Sequence, residues 1–162
     1  MVPILIFAGI AVGLFVVAFA SKRRFGLLGL ALTAGATISA PWSINAGLVV
    51  AATGLVPDTA ITSAVVSSLI VLLPAIVLLF HGYSYKENAA RVIGSLMFMI
   101  LALAFLVQPL AIALPTLQGP AGSFYLWIQQ YRDAIISVGV VLAVIDLFFT
   151  KPAKLSEKDR KR

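Results

Sequence analysis

Nineteen consecutive residues, 2–20, carry no charge. At about 1.5 Å per residue a helical run of this length nearly matches a hydrocarbon core of about 30 Å. Four more apolar runs follow, at 25–40, 60–80, 92–114 and 134–150. In hydrocarbon, backbone polar groups must be satisfied within the segment, which a helix does. The expected fold is therefore all-α, a polytopic membrane bundle of five transmembrane helices. Composition agrees: charged residues make up 11% of the chain and hydrophobic ones 61%, against about 25% charged in soluble domains.

The breaks between the runs carry their own signals. Ser21 and the basic Lys22-Arg23-Arg24 form a tight turn between helices one and two. Ala18-Phe19-Ala20 has the small-x-small form of a cleavage site, but no basic stretch precedes the run and three cations follow it. The run therefore reads as an uncleaved span. Pro41-Trp42 interrupts the next run, since proline disfavours helix before it and tryptophan prefers the interface. The fourteen residues 43–56 suit a re-entrant or interfacial segment; the alternative is that helix two continues through Pro41 with a tilt or kink. Asp58 or Thr59 can cap helix three. The 81–91 connection is polar, with His81 as an interfacial residue. Phe124, Tyr125, Trp127 and Tyr131 read as an interfacial aromatic belt on a short helix lying on the membrane.

Orientation follows from the cations. With five spans and the N-terminus outside, Lys22, Arg23, Arg24, Lys86, Arg91 and six tail cations fall on the cytoplasmic side. Only Arg132 falls outside, so the count is eleven to one, in accord with the positive-inside rule. Residues 1–150 form one transmembrane domain and 151–162 a basic cytoplasmic tail. Lys22, Arg23, Arg24, Lys151, Lys154, Lys158, Arg160, Lys161 and Arg162 are topology signals and candidate contacts for anionic lipid. This clustering at membrane boundaries is not that of a nucleic-acid surface, so the expected partners are membrane lipids and either a second copy or partner membrane subunits.

Small residues let membrane helices approach closely. Gly9 and Gly13 form a GxxxG on helix one, helix two carries Gly26, Gly29 and Gly35, and Ser63 and Ser67 lie four apart on helix three. Two readings stay open for such faces: packing inside one bundle, or an oligomer seam on helix one. Asp146 is the acidic residue well inside an apolar run, a position that marks function when it faces lipid or a cavity. Its nearness to Lys151 allows a hydrated structural role as well. Gln108-Pro109 in helix four and Pro74 in helix three can kink their helices and bound a cavity, or merely shape the bundle. Arg132-Asp133 reads as a boundary pair, with Asp133 suited to a helix N-terminus.

The absence of cysteine rules out disulfides and thiolate metal sites, and one histidine cannot ligate haem twice. No phosphate loop, zinc-helix motif, nucleophile elbow or dinucleotide fingerprint occurs. No cofactor, metal or catalytic activity is expected. The layout resembles the colicin V production (CvpA) family of small bacterial inner-membrane proteins over roughly 2–114. The likeness lies in the basic turn Lys22-Arg23-Arg24-Phe25-Gly26 after an apolar helix, the small-residue helix behind it, and Arg91-Val92-Ile93-Gly94 opening helix four. The first helix lacks the aspartate common near its start in that family. The resemblance implies an inner-membrane protein of toxin-production or envelope processes, and no catalytic residues. The expected function is a scaffold or accessory subunit of an envelope or secretion-type system. The alternative is a small transporter or channel lined by helices three and four and Asp146.

Overall fold

A computed structural model describes residues 2–52, 59–80, 85, 88–113 and 120–149. These residues form six α-helices and no β-strand: α1 (Val2–Ser21), α2 (Phe25–Ala52), α3 (Thr59–Phe80), α4 (Asn88–Ala113), α5 (Pro120–Gln130) and α6 (Arg132–Phe148). Three segments are long and apolar enough to cross a membrane, Phe25–Trp42, Thr62–Phe80 and Asn88–Ala111, and Leu5–Ser21 is a shorter apolar helix. This is the organisation of an integral membrane protein.

The helix α2 runs unbroken through Pro41 to Ala52, so residues 43–52 continue helix two and are not a separate segment. Residues 53–56 lie outside the described residues. Of the two readings, a separate segment or a helix continued through Pro41, the second is the one observed. Pro41 only withdraws the donor for the Thr37 carbonyl, a defect that membrane helices tolerate when neighbours support them. That support is α3, which packs along α2 more extensively than any other pair of helices. Pro74 and Pro109 likewise lie inside continuous helices.

Two further boundaries differ from expectation. α4 begins at Asn88, so Arg91 belongs to its first turn and not to the preceding connection. α6 begins at Arg132, two residues before the expected start. In both cases polar residues sit at a helix start, where orphan amides favour them. The aromatic cluster does fall on a short helix, α5, which leads into α6 through Tyr131: its amide donates to the Trp127 carbonyl and its carbonyl accepts from Ile135.

α4 is the axis of the bundle. Its residues 101–107 are all buried, as required of a helix with neighbours on every side. One core cluster joins α2, α3, α4 and α6 through residues such as Leu32, Val71, Leu101 and Ala143. A second joins α1, α4 and α5 around Phe7, Leu106 and Ile128. Phe7 meets Phe124 and Tyr125 edge-on at 6.3 and 5.8 Å, a geometry that aromatic quadrupoles favour. Outward positions on α1, α3 and α6 carry large apolar side chains, among them Val12, Leu69 and Val141.

Close approach is concentrated on α2. A Cβ at Gly26 would stand 2.5 Å from the Ala143 carbonyl oxygen, and one at Gly29 would stand 2.9 Å from the Ala143 Cβ. One at Gly35 would collide with the Val71 backbone. With no hydrophobic drive between helices in lipid, such contacts and hydrogen bonds hold the bundle together.

Candidate functional site

Two polar constellations lie at opposite ends of the bundle. The first is built on the basic turn. Lys22 adopts φ 58°, the left-handed conformation that lets α1 stop and α2 begin within three residues. Its carbonyl accepts the Tyr85 amide at 2.8 Å, which ties the α3–α4 connection to the turn. The phenol of Tyr85 then accepts the Phe25 N–H at 3.0 Å and donates to Asp146 Oδ2 at 3.4 Å. Asp146 Oδ2 also accepts the Gly26 N–H at 2.9 Å, and Oδ1 lies 3.5 Å from the Arg24 guanidinium. Asp146 therefore supplies the negative charge and the acceptor that the α2 N-terminus requires. Burial pushes the Tyr85 phenol above its ordinary pKa of 10.0, and the Asp146 charge acts in the same direction.

The arginines serve the opposite helix ends. Arg23 donates from Nε to the Leu79 carbonyl at 3.0 Å and from Nη2 to the Phe80 carbonyl at 2.8 Å, at the end of α3. Arg91 donates from Nε to the Phe19 carbonyl at 2.6 Å, in the last turn of α1. Its guanidinium also lies 3.8 Å from the centre of the Phe19 ring, within cation–π range. Cations at helix C-termini satisfy orphan carbonyls and oppose the helix dipole. Gly94 is part of the same device, because a Cβ there would stand 2.7 Å from the Tyr85 ring. The Arg91-Val92-Ile93-Gly94 stretch thus holds α1 with its first residue and admits Tyr85 with its last.

The second constellation surrounds Arg132. Arg132 and Asp146 are fourteen positions apart on α6, about 21 Å at 1.5 Å per residue. Arg132 Nε donates to the Ala104 carbonyl at 3.3 Å, and Nη2 donates to Gln108 Oε1 at 3.4 Å. Nη1 pairs with Asp133 at 3.1 Å, a carboxylate whose side chain is 91% exposed. Ala104 precedes Phe105, whose carbonyl Pro109 leaves without its helical donor. Arg132, Gln108, Ser39 and Ser67 line a cavity of about 270 Å³ together with Val71 and Phe105. Gln108 and Arg132 also line a second hollow of about 290 Å³, with Gln129, Gln130 and Asp133.

These placements sort the residues marked in the sequence. Gly26, Gly29 and Gly35 stand at helix contacts, whereas a Cβ added at Gly9 or Gly13 would meet nothing within 4 Å. Ser67 and Gln108 share the cavity; Ser63, half-buried on α3, is not among its lining residues. Asp146 is in the other constellation, with Arg24. His81, Asp58, and Lys151, Lys154, Lys158, Arg160, Lys161 and Arg162 of the tail lie outside the described residues. Sequence reasoning missed Tyr85, which carries no motif, and the joint role of Ser39 and Arg132. Arg132 did carry a signal, as the single exception to the charge count. No group of three or more potential metal-ligating residues occurs among the described residues. No family model, curated protein or solved structure matches the chain.

Proposed function

We propose that this chain is a non-enzymatic membrane subunit that assembles with a second copy of itself through α1, and serves as a scaffold or accessory component in an envelope, toxin-production or secretion-type system. The observation that carries this reading is the division of the glycines. Gly26, Gly29 and Gly35 are in tight contacts within the bundle, while Gly9 and Gly13, spaced as a GxxxG, face open space. Glycine lowers helix stability by about 1 kcal/mol relative to alanine, so an outward glycine pair is best accounted for by a helix that packs against it. The neighbouring outward side chains Leu5, Val12 and Val16 would flank such a contact.

The proposed topology is five spans, N-outside and C-inside, in a bacterial inner membrane. The cation count supports it, as does the gathering of Arg23, Arg24 and Arg91 in one cluster with Tyr85 and Asp146. The aromatic stack of Phe124, Trp127 and Tyr131, with centroids 6.3 and 5.4 Å apart, supports an interface at the other end. The family layout supports the envelope setting. A transport path lined jointly by Gln108 and Asp146 has less support, because Asp146 is engaged by Arg24, Tyr85 and the Gly26 amide at the far end from Gln108.

The test is a pull-down of the full chain from native membranes, with the complex mass measured in nanodiscs. The proposal expects a mass of two copies, with or without further membrane subunits, and monomers for Gly9→Leu/Gly13→Leu. A monomeric wild-type chain without partners that conducts ions in liposomes would overturn it.

A further inference from the structure

The cavity at Arg132 has a composition that packing alone does not require. Hydroxyls in membrane helices commonly bond the carbonyl three or four residues back, and here Thr33, Ser68, Ser95 and Ser137 do so. Ser39 and Ser67 do not. They are 7% and 8% exposed, and both line the cavity. A guanidinium at membrane depth costs free energy unless it is paired. Of the five N–H donors of Arg132, three are engaged, two of them in long bonds of 3.3 and 3.4 Å. The wall therefore presents a guanidinium with two N–H groups to spare, two serine hydroxyls and the Gln108 amide around one hollow.

We infer that this cavity binds a phosphate group, held by the Arg132 guanidinium and the hydroxyls of Ser39 and Ser67, and that its source is the headgroup of a phospholipid. Guanidinium and phosphate match in geometry and charge, and serine hydroxyls donate to the remaining oxygens. Depth favours the lipid source. On the topology proposed above, Arg132, about 21 Å from Asp146 along α6, lies in the leaflet opposite the basic cluster and just beneath its headgroups. Asp133 offsets part of the charge of Arg132 but lines the other hollow.

The experiment is native mass spectrometry of the full chain released from detergent, with phosphatidic acid, diacylglycerol or inorganic phosphate added. Wild type should retain phosphatidic acid and not diacylglycerol. Arg132→Gln should weaken retention about tenfold, the cost of one lost charged hydrogen-bonding group. Ser39→Ala/Ser67→Ala, which leaves the charge and the fold intact, should weaken it several-fold. Competition by inorganic phosphate at matched concentration would support the same site with a soluble phosphate compound as occupant. Unchanged retention by both the Arg132 and the double-serine variants would overturn the inference, because the lipid would then be held elsewhere, as by the basic cluster. Equal retention of diacylglycerol would overturn it too.

Discussion

The Gly26 N–H donates to Asp146 Oδ2 at 2.9 Å, across 120 residues of sequence. One carboxylate in α6 thereby serves the first turn of α2, and the Arg24 beside it completes the pair at 3.5 Å. Asp146→Ala removes both contacts and should destabilise the bundle by roughly 2 kcal/mol, within the range for a lost helix cap and a partly screened ion pair. Asp146→Asn keeps an acceptor for the amide and should cost about half as much. Unfolding in mild detergent with increasing denaturing detergent reads the difference, and equal stability of Asp146→Ala and wild type would contradict the capping role.

The Gly35 contact with the Val71 backbone leaves no room for a side chain. Gly35→Val should cost roughly 1–3 kcal/mol through forced separation of α2 and α3. Gly13→Val, facing open space, should leave the stability of the monomer within about 0.5 kcal/mol of wild type. Thermal denaturation of the two variants under conditions that keep the chain monomeric makes the comparison.

Arg91 holds the Phe19 carbonyl at 2.6 Å. Arg91→Gln should loosen the last turn of α1 by about 1 kcal/mol, seen as faster amide exchange near residues 19–22 with little change in the middle of α4. Gly94→Val should disturb the same region by displacing the Tyr85 ring. Uniform acceleration across all six helices would instead mean that Arg91 acts on global stability.

Tyr85 titrates above its ordinary value of 10.0 because burial disfavours the phenolate. The folded chain then holds a proton that the unfolded chain has released, so this contribution is intact below about pH 10 and declines as pH rises above it. Tyr85→Phe lacks the ionising group. Its stability, lower than wild type at neutral pH by the loss of the Asp146 and Phe25 hydrogen bonds, should fall less steeply above about pH 10. Parallel curves for the two proteins would argue against a titrating Tyr85.

The helical membrane fold was legible because lipid leaves the backbone few options, and the long uncharged runs announce them. The continuity of α2 was not, because a proline reads as a break when only local preference is weighed, and the packing of α3 that sustains the helix is not local. The basic turn was visible as a topology signal, but its tertiary role was not: Arg23 closes the end of α3, as Arg91 of α4 closes that of α1, and only the tertiary structure brings these ends near. Asp146 stood out in the sequence while its partner Tyr85 did not, because a tyrosine in a polar connection is ordinary until the chain folds it over Gly94. The serines at 39 and 67 look like common helix-packing residues, and only their shared cavity separates them from Ser68 or Ser95.

The chain has no cysteine, so a single introduced thiol reports a helix contact without background. Val16 lies outward on α1, one turn from Gly13, while Val141 lies outward on α6. Oxidative cross-linking in native membranes should yield a disulfide-linked dimer from Val16→Cys and none from Val141→Cys. Adding Gly9→Leu/Gly13→Leu to Val16→Cys should abolish that dimer. Absence of a Val16→Cys dimer, or its persistence with both glycines replaced, would contradict assembly through α1.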